Sequence, residues 1–446
     1  MPASKRALFA SIAFLGAGAA GAVAHAQVAM GDIERANLPN SNFVRDRNIS
    51  VQDRPKPGYE AIGVPAGSFI IWPKAQLTTE YNDNIYATKD DTVDDLITEV
   101  APQVTIVSDW GRHALVGYAR ANFARHADYH HENTDDYEVG TRGRLDVTRS
   151  MTLNGQLEYD QEHEPRTSAN VTDAISPTQF EVGHVAATAR YELNRLLLSG
   201  QTDFRTYKFN NGIAEDGTVV VQDDRDRNEF VFTGRGDYAI SPDTAVFIEA
   251  TGETRDYKRG TFSGVVNRLV TRDSDGYILL TGANFELGSL TRGEIAVGYM
   301  SQSYDDSAFK NVNGFSARVR VEWFPTELTT VTLTGARTIE ESAVIGAAGY
   351  IASSLEARVD HELLRNVILT GQISYANDDY QGASSNGFTF DRTDDILNFG
   401  LSATYLLNRH TGLTFNYGYL KQNSKGREAG RDFTVNQVGL TLVLQY

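Results

Sequence analysis

Val438 to Tyr446 read V-G-L-T-L-V-L-Q-Y. A strand turns successive side chains to opposite faces, so Val438, Leu440, Leu442, Leu444 and Tyr446 form one apolar row. Gln437, Gly439, Thr441, Val443 and Gln445 form the other row, which is mostly small or polar. Two settings satisfy such a strand. One is the half-buried sheet of a soluble β-sandwich; the other is a barrel wall with lipid outside and water inside. The rest of the chain decides between them.

At the other end, Lys5 and Arg6 precede an apolar run from Ala7 to Val23, and Ala24-His25-Ala26 supplies a small-x-small cleavage pattern. This is the order of a secretory signal peptide, assigned to residues 1–26. The run is too short and too rich in Gly and Ala for a convincing spanning helix. The chain has no cysteine, so neither a lipid anchor on an N-terminal Cys nor a disulfide is available.

Cleavage would leave about 420 of the 446 residues. Hydrophobic residues make up 41% and mean hydropathy is −0.35, with no long apolar run beyond the signal. A membrane protein this polar must be a barrel, in which alternate residues face a wet interior. Glycine is frequent (39), proline scarce (11), and Tyr and Phe contribute 21 each, a mix suited to twisted antiparallel strands with aromatic girdles. The net charge of −17 excludes a nucleic-acid footprint, which must be basic.

From Ser68 the sequence repeats a hairpin of roughly forty residues. Short turns such as Arg149-Ser150, Asn194-Arg195, Ser241-Pro242-Asp243 and Asn408-Arg409-His410 alternate with longer polar loops such as 210–226 and 259–275. Eight short turns and nine long loops predict about eighteen strands. The fold expected is all-β, a transmembrane antiparallel up-and-down barrel of about 16–18 strands over residues 68–446, in the cell outer membrane. Residues 27–67 are polar, carry Pro55, Pro57 and Pro65 and lack periodicity. They are expected as an irregular periplasmic segment: a tether, or a piece that enters the lumen or meets a periplasmic partner.

The alternation also fixes the faces. Val139, Leu145 and Val147 oppose Arg142, Arg144 and Asp146; Phe230, Phe232 and Tyr238 oppose Arg235. Phe315, Val319 and Trp323 oppose Arg318, Arg320 and Glu322, while Leu355 and Val359 oppose Glu356, Arg358 and Asp360. An Arg turned to lipid at mid-depth costs roughly 2–4 kcal/mol, so the charged rows must face inward. They would line an aqueous passage, or serve as cross-strand pairs that stiffen the wall. Val438, Leu440, Leu442, Leu444 and Tyr446 would then face lipid, and a closing aromatic row of this kind is what barrel assembly machinery reads.

Arg54-Pro55-Lys56-Pro57-Gly58-Tyr59, Gly67-Ser68-Phe69, Tyr81-Asn82-Asp83-Asn84, Ser108-Asp109-Trp110-Gly111 and Gly143-Arg144-Leu145-Asp146-Val147-Thr148 carry a resemblance. With Ala101-Pro102 and Asp135-Asp136-Tyr137 between them, these runs resemble the proteobacterial outer-membrane family of β-barrel porins, type two. The resemblance covers the chain after residue 50 and implies a passage across the outer membrane. It also implies an association with exopolysaccharide or capsule export and its periplasmic proteins. It brings no catalytic residues and no cofactor.

Catalytic and metal constellations are weak. His126, His130, His131 and Glu132 have a zinc-like composition in an outer loop, where a solvated tip is the plainer reading. Ser402 and His410 supply the residue types of a barrel hydrolase without a reason to converge. A TonB-type transporter would need a folded plug far longer than the forty or so residues before the first strand. Three functions remain: a conduit accessory to polysaccharide export, a general diffusion porin for small hydrophilic solutes, and a structural or adhesive surface barrel.

Overall fold

Alternation of the kind seen at 438–446 recurs down the chain, and each stretch of it forms one long strand. The computed structural model describes residues 49–446 apart from 264–266, 289, 343, 345, 383, 386 and 387. The signal-peptide expectation for 1–26, and residues 27–48 of the segment after it, lie outside the described residues.

Eighteen long strands make the wall: β1 (Phe69–Asn82), β2 (Asp95–Ser108), β3 (Ala114–His126), β4 (Thr134–Asp146), β5 (Met151–His163) and β6 (Gln179–Leu193). They continue as β7 (Leu196–Phe209), β8 (Arg227–Ser241), β9 (Thr244–Tyr257), β10 (Ser274–Leu287), β11 (Thr291–Tyr304) and β12 (Val312–Thr326). The last six are β13 (Thr329–Glu341), β14 (Ala347–Leu364), β15 (Val367–Gly382), β16 (Arg392–Leu406), β17 (Thr411–Lys425) and β18 (Phe433–Gln445). Each pairs antiparallel with the next, and β18 returns to β1 from Lys74↔Gln445 to Asn82↔Gln437. The barrel is closed. No strand edge is left to present unpaired N–H and C=O groups to lipid. The strand number and topology are those expected from the spacing of turns.

Outward residues are apolar and exposed: Val139, Phe230, Phe315, Leu355 and Ile248 show 50%, 48%, 55%, 50% and 71% of their surface. In a water-soluble sheet such a surface would drive aggregation; in a bilayer it is the contact with lipid. Exposed tyrosines mark both ends of the strands. Tyr81, Tyr137, Tyr159, Tyr277, Tyr299 and Tyr375 lie toward the long-loop end, and Tyr191, Tyr238 and Tyr405 toward the short-turn end. Tyr118 is not part of these exposed rows and points inward. Its ring lies against Gly140, where an added Cβ would come within 2.4 Å of it.

The short-turn end is the periplasmic one, and there residues 50–56 dock on the wall. Val51 is fully buried and its N–H donates to Thr330 Oγ1 at 2.9 Å. Gln52 Nε2 donates to Asp360 Oδ1 at 2.6 Å, and Lys56 Nζ donates to the Val51 carbonyl at 2.8 Å. Burial pushes the Lys56 ammonium below its ordinary range, with Glu362 opposing the shift. Val64–Ala66 then pair with the start of β1.

The lipid-facing assignment makes a prediction. Leu440→Arg should cost about 2–4 kcal/mol of stability, whereas Ser402→Arg on the inner face should cost well below that. Urea titration of protein folded into lipid vesicles, followed by heat-modifiable gel mobility, measures both.

Candidate functional site on the inner wall

The even- or odd-numbered row of each strand that faces inward carries the charge. On β4 it holds Arg142, Arg144 and Asp146; on β8, Arg235; on β12, Arg318, Arg320 and Glu322; on β14, Glu356, Arg358 and Asp360. Several are paired along or across the strand. Arg144 Nε lies 3.2 Å from Asp146, Arg358 Nε 2.9 Å from Asp360, and Arg320 3.5 Å from Glu322, which also accepts from Arg292. Arg142 stands 3.5 Å from Glu158, beside the Tyr118 hydroxyl, which donates to the same carboxylate. Glu356 occupies the rung between Thr334 and Ser374.

The structure separates these residues into two kinds. Arg235 is tied down. It donates to both oxygens of Asp237 (2.7 and 2.9 Å), to Glu249 at 3.2 Å and to Glu294 at 2.8 Å. Arg318 donates to the same Glu249 at 2.9 and 3.0 Å and to Glu294 at 3.0 Å. This network joins β8, β9, β11 and β12 across the intervening β10. Space for it comes from small inward residues: a Cβ on Gly282 of β10 would meet the Phe247 ring at 2.6 Å. The ring lies in that gap, and Arg235 stacks on it at 3.6 Å from its centroid. Arg235 keeps only 3% of its side chain exposed. Arg142, Arg320 and Arg358 keep 51%, 41% and 36%, so their guanidinium groups stay partly exposed.

Nearer the outer end the pattern repeats. Arg227 pairs with Glu229 at 2.7 Å and lies over the Tyr207 ring; Arg272 pairs with Glu341 at 3.1 Å. Glu164, from the loop between β5 and β6, accepts two hydrogen bonds of 3.0 Å from Arg225. This pair draws residues 164–170 over the wall. Beneath it lies a cavity of about 570 Å³, lined by seven arginines and seven carboxylates among other polar groups. The equal numbers matter, because the lining carries no net charge.

Glu249, Glu294, Glu341 and Arg225 escape a strand-by-strand reading. The inward parity of Glu249 is legible from Ile248 on the other face of β9. Its meeting with Arg318, three strands away, follows only from the curvature of the wall.

The catalytic alternatives are not assembled. Glu132 is held by Arg166 at 2.7 and 2.9 Å, and His126 Nδ1 lies 3.1 Å from Asp95. Ser402 sits opposite Asn416 on the wall, while His410 stacks on Tyr446 at the periplasmic rim. Glu138, Glu158 and Asp160 place carboxylate oxygens within 4.8 Å of one another, but Arg120 lies 3.1 Å from Glu138 and Arg142 faces Glu158. They act as counter-charges of the wall.

A family model described as putative beta-barrel porin 2 matches residues 56–446. Among solved structures, Pseudomonas aeruginosa OpdL is 10% identical, with a TM-score of 0.43, over 85% of this chain and 99% of that one. P. aeruginosa OpdK with vanillate is 11% identical with a TM-score of 0.45, over 84% and 99%. The copper transporter OprC is 8% identical with a TM-score of 0.48, over 86% and 81%. No curated protein matches the sequence.

The two kinds of arginine should respond differently to substitution. Arg235→Ala strands Glu249 and Glu294 without one of their two cations and should cost about 3–5 kcal/mol. Arg142→Ala, half-exposed, should cost under about 1 kcal/mol. Unfolding midpoints in vesicles check the contrast.

Proposed function

We propose that this chain, which belongs to the putative beta-barrel porin 2 family, is a hydrophilic conduit of the outer membrane that favours neutral, hydroxyl-rich molecules. The observation that carries this reading is the charge balance of the inner wall, seven arginines against seven carboxylates around the cavity beneath residues 164–170. A hydroxyl is donor and acceptor at once, so a vicinal diol can satisfy a guanidinium and the neighbouring carboxylate together. An anion or cation would instead meet as many like charges as unlike ones, and would have to break an existing ion pair to bind.

Polysaccharide is the polymer that matches this chemistry. A role accessory to exopolysaccharide or capsule export, with periplasmic export proteins as partners, is therefore the finer reading, supported further by the family resemblance of residues 54–148. General diffusion of small hydrophilic solutes is the second reading, favoured by the water-facing Arg142, Arg320 and Arg358. Insertion would depend on the barrel assembly machinery engaging the Val438–Tyr446 row. No step in either reading needs a catalytic residue.

The reading predicts weak ion selectivity. In planar bilayers under a salt gradient the reversal potential of the purified protein should lie near zero. Arg142→Ala/Arg320→Ala/Arg358→Ala should move it clearly toward cation selectivity, because only cationic groups have been removed from water. Strong anion or cation preference in the unaltered protein would contradict the neutral-passage reading. Export against diffusion is decided in the cell. Loss of the gene should abolish an extracellular polymer in the first case, and alter uptake of small solutes with the polymer unchanged in the second.

A further inference from the structure

Residues 50–57 fold upon themselves before they touch the barrel. Arg54 N–H donates to the Ser50 carbonyl at 2.9 Å and Ser50 Oγ to Asp53 at 2.7 Å, while across Gly58 Lys56 N–H donates to Glu60 at 2.5 Å and Tyr59 N–H to the Lys56 carbonyl at 2.9 Å. Lys56 spends its ammonium on the carbonyls of Val51 and Arg54, within the same turn. The Lys56 ammonium, the Ser50 hydroxyl and the Arg54 N–H are satisfied within the unit and would move with it.

Among the described residues its attachments to the wall are few, and each involves a side chain on one side or the other. They are Val51 N–H to Thr330, Gln52 to Asp360 and Thr370, and Arg54 to Glu362 at 3.7 Å and to the Glu327 carbonyl. All lie on β13–β15 or the turn before β13. None is a rung of the barrel ladder. Asp360 has other partners, Arg358 and Thr370, so the wall is not left with a bare buried charge there if Gln52 leaves.

The following residues are fastened elsewhere, at the β18–β1 seam. Gln445 Nε2 donates to the Tyr59 carbonyl, Gly63 N–H donates to the Tyr446 carbonyl, and Gly63 lies against Ile70 and Trp72. Between the two attachments sits Gly58, at φ +95 with nothing within 4 Å of where a Cβ would be. That backbone conformation is open to glycine, and the space around it is free. The chain therefore runs at the periplasmic mouth from β13–β15 to β1, fixed at the seam and docked on β13–β15, with between them a glycine spanned by two local hydrogen bonds that swinging about it would open.

We propose that residues 50–57 are a displaceable stopper of the periplasmic mouth, hinged at Gly58 and docked on the Thr330, Asp360 and Glu362 recess. Docked, it narrows the conduit; released, it opens the mouth without breaking any strand pairing. Release also hands Glu362 to water. The inference rests on the conduit reading given above.

The absence of native cysteine allows a direct test. Val51→Cys with Thr330→Cys, oxidised, locks the stopper, and reductant frees it in the same inserted molecules. Gln52→Ala/Arg54→Ala undocks it. Heat-modifiable mobility establishes folding of each variant, and single-channel current is recorded from each. Losing two or three wall contacts should raise the ratio of open to narrowed states by roughly ten-fold or more. The expected result is a steady low conductance when oxidised, restored by reductant, and about ten-fold more open time for Gln52→Ala/Arg54→Ala. Equal conductance and open time in all states would overturn the stopper and leave the conduit reading standing. Silence in every state, with insertion established, would overturn the conduit reading and the stopper with it.

Discussion

Everything in this structure depends on the closing seam, where β18 lies along β1 over the registers Lys74↔Gln445 to Asn82↔Gln437. Backbone N–H and C=O groups in hydrocarbon have no water to turn to, so each open edge would cost several kcal/mol per unpaired group. Closure satisfies them all at once. It also fixes which row of every strand faces in, because a slip of one residue would turn each Arg outward. Thr78 and Thr441, 3.0 Å apart across the seam on the inner face, show the same parity carried through the joint.

Once the rows are fixed, the interior must hold charge at close quarters. It does so by pairing. Arg235 and Arg318 share Glu249 and Glu294, and the Arg235 guanidinium rests on Phe247 over the vacancy left by Gly282. Such a network is costly to break and weak as a source of net stability. Its consequence is geometric. One arc of the wall is filled by this network, whereas Arg142, Arg320 and Arg358 keep their guanidinium groups partly exposed. The same charges that made the inner row recognisable therefore serve two purposes, and exposure separates them.

The N-terminal segment shows where sequence reading stops. Pro55, Pro57, Gly58 and Gly63 announce an irregular chain, and irregular it is over 49–63. Its polar composition allowed a tether, a lumen-entering piece or a segment that meets a periplasmic partner. Val51, an unremarkable valine in a polar run, is fully buried because Thr330, Asp360 and Thr370, which receive Val51 and Gln52, lie some 280 to 320 residues away in sequence. Nothing local to residue 51 encodes that. The same holds for Tyr118, whose inward ring fills the notch at Gly140 on the neighbouring strand.

The sequence by itself pointed to a closed antiparallel barrel of about 16–18 strands and to its outer-membrane setting. All of these follow from two short-range rules, side-chain alternation along a strand and the preference of lipid for apolar surface. Tertiary structure alone decided which charges are spent on one another and which face water. It also decided that loop 164–170 folds over the wall through Glu164 and Arg225, and that residues 50–57 dock across the mouth. These depend on how far the wall curves between strands that are not neighbours. That distance is set by closure of the whole barrel, not by any stretch of sequence within it.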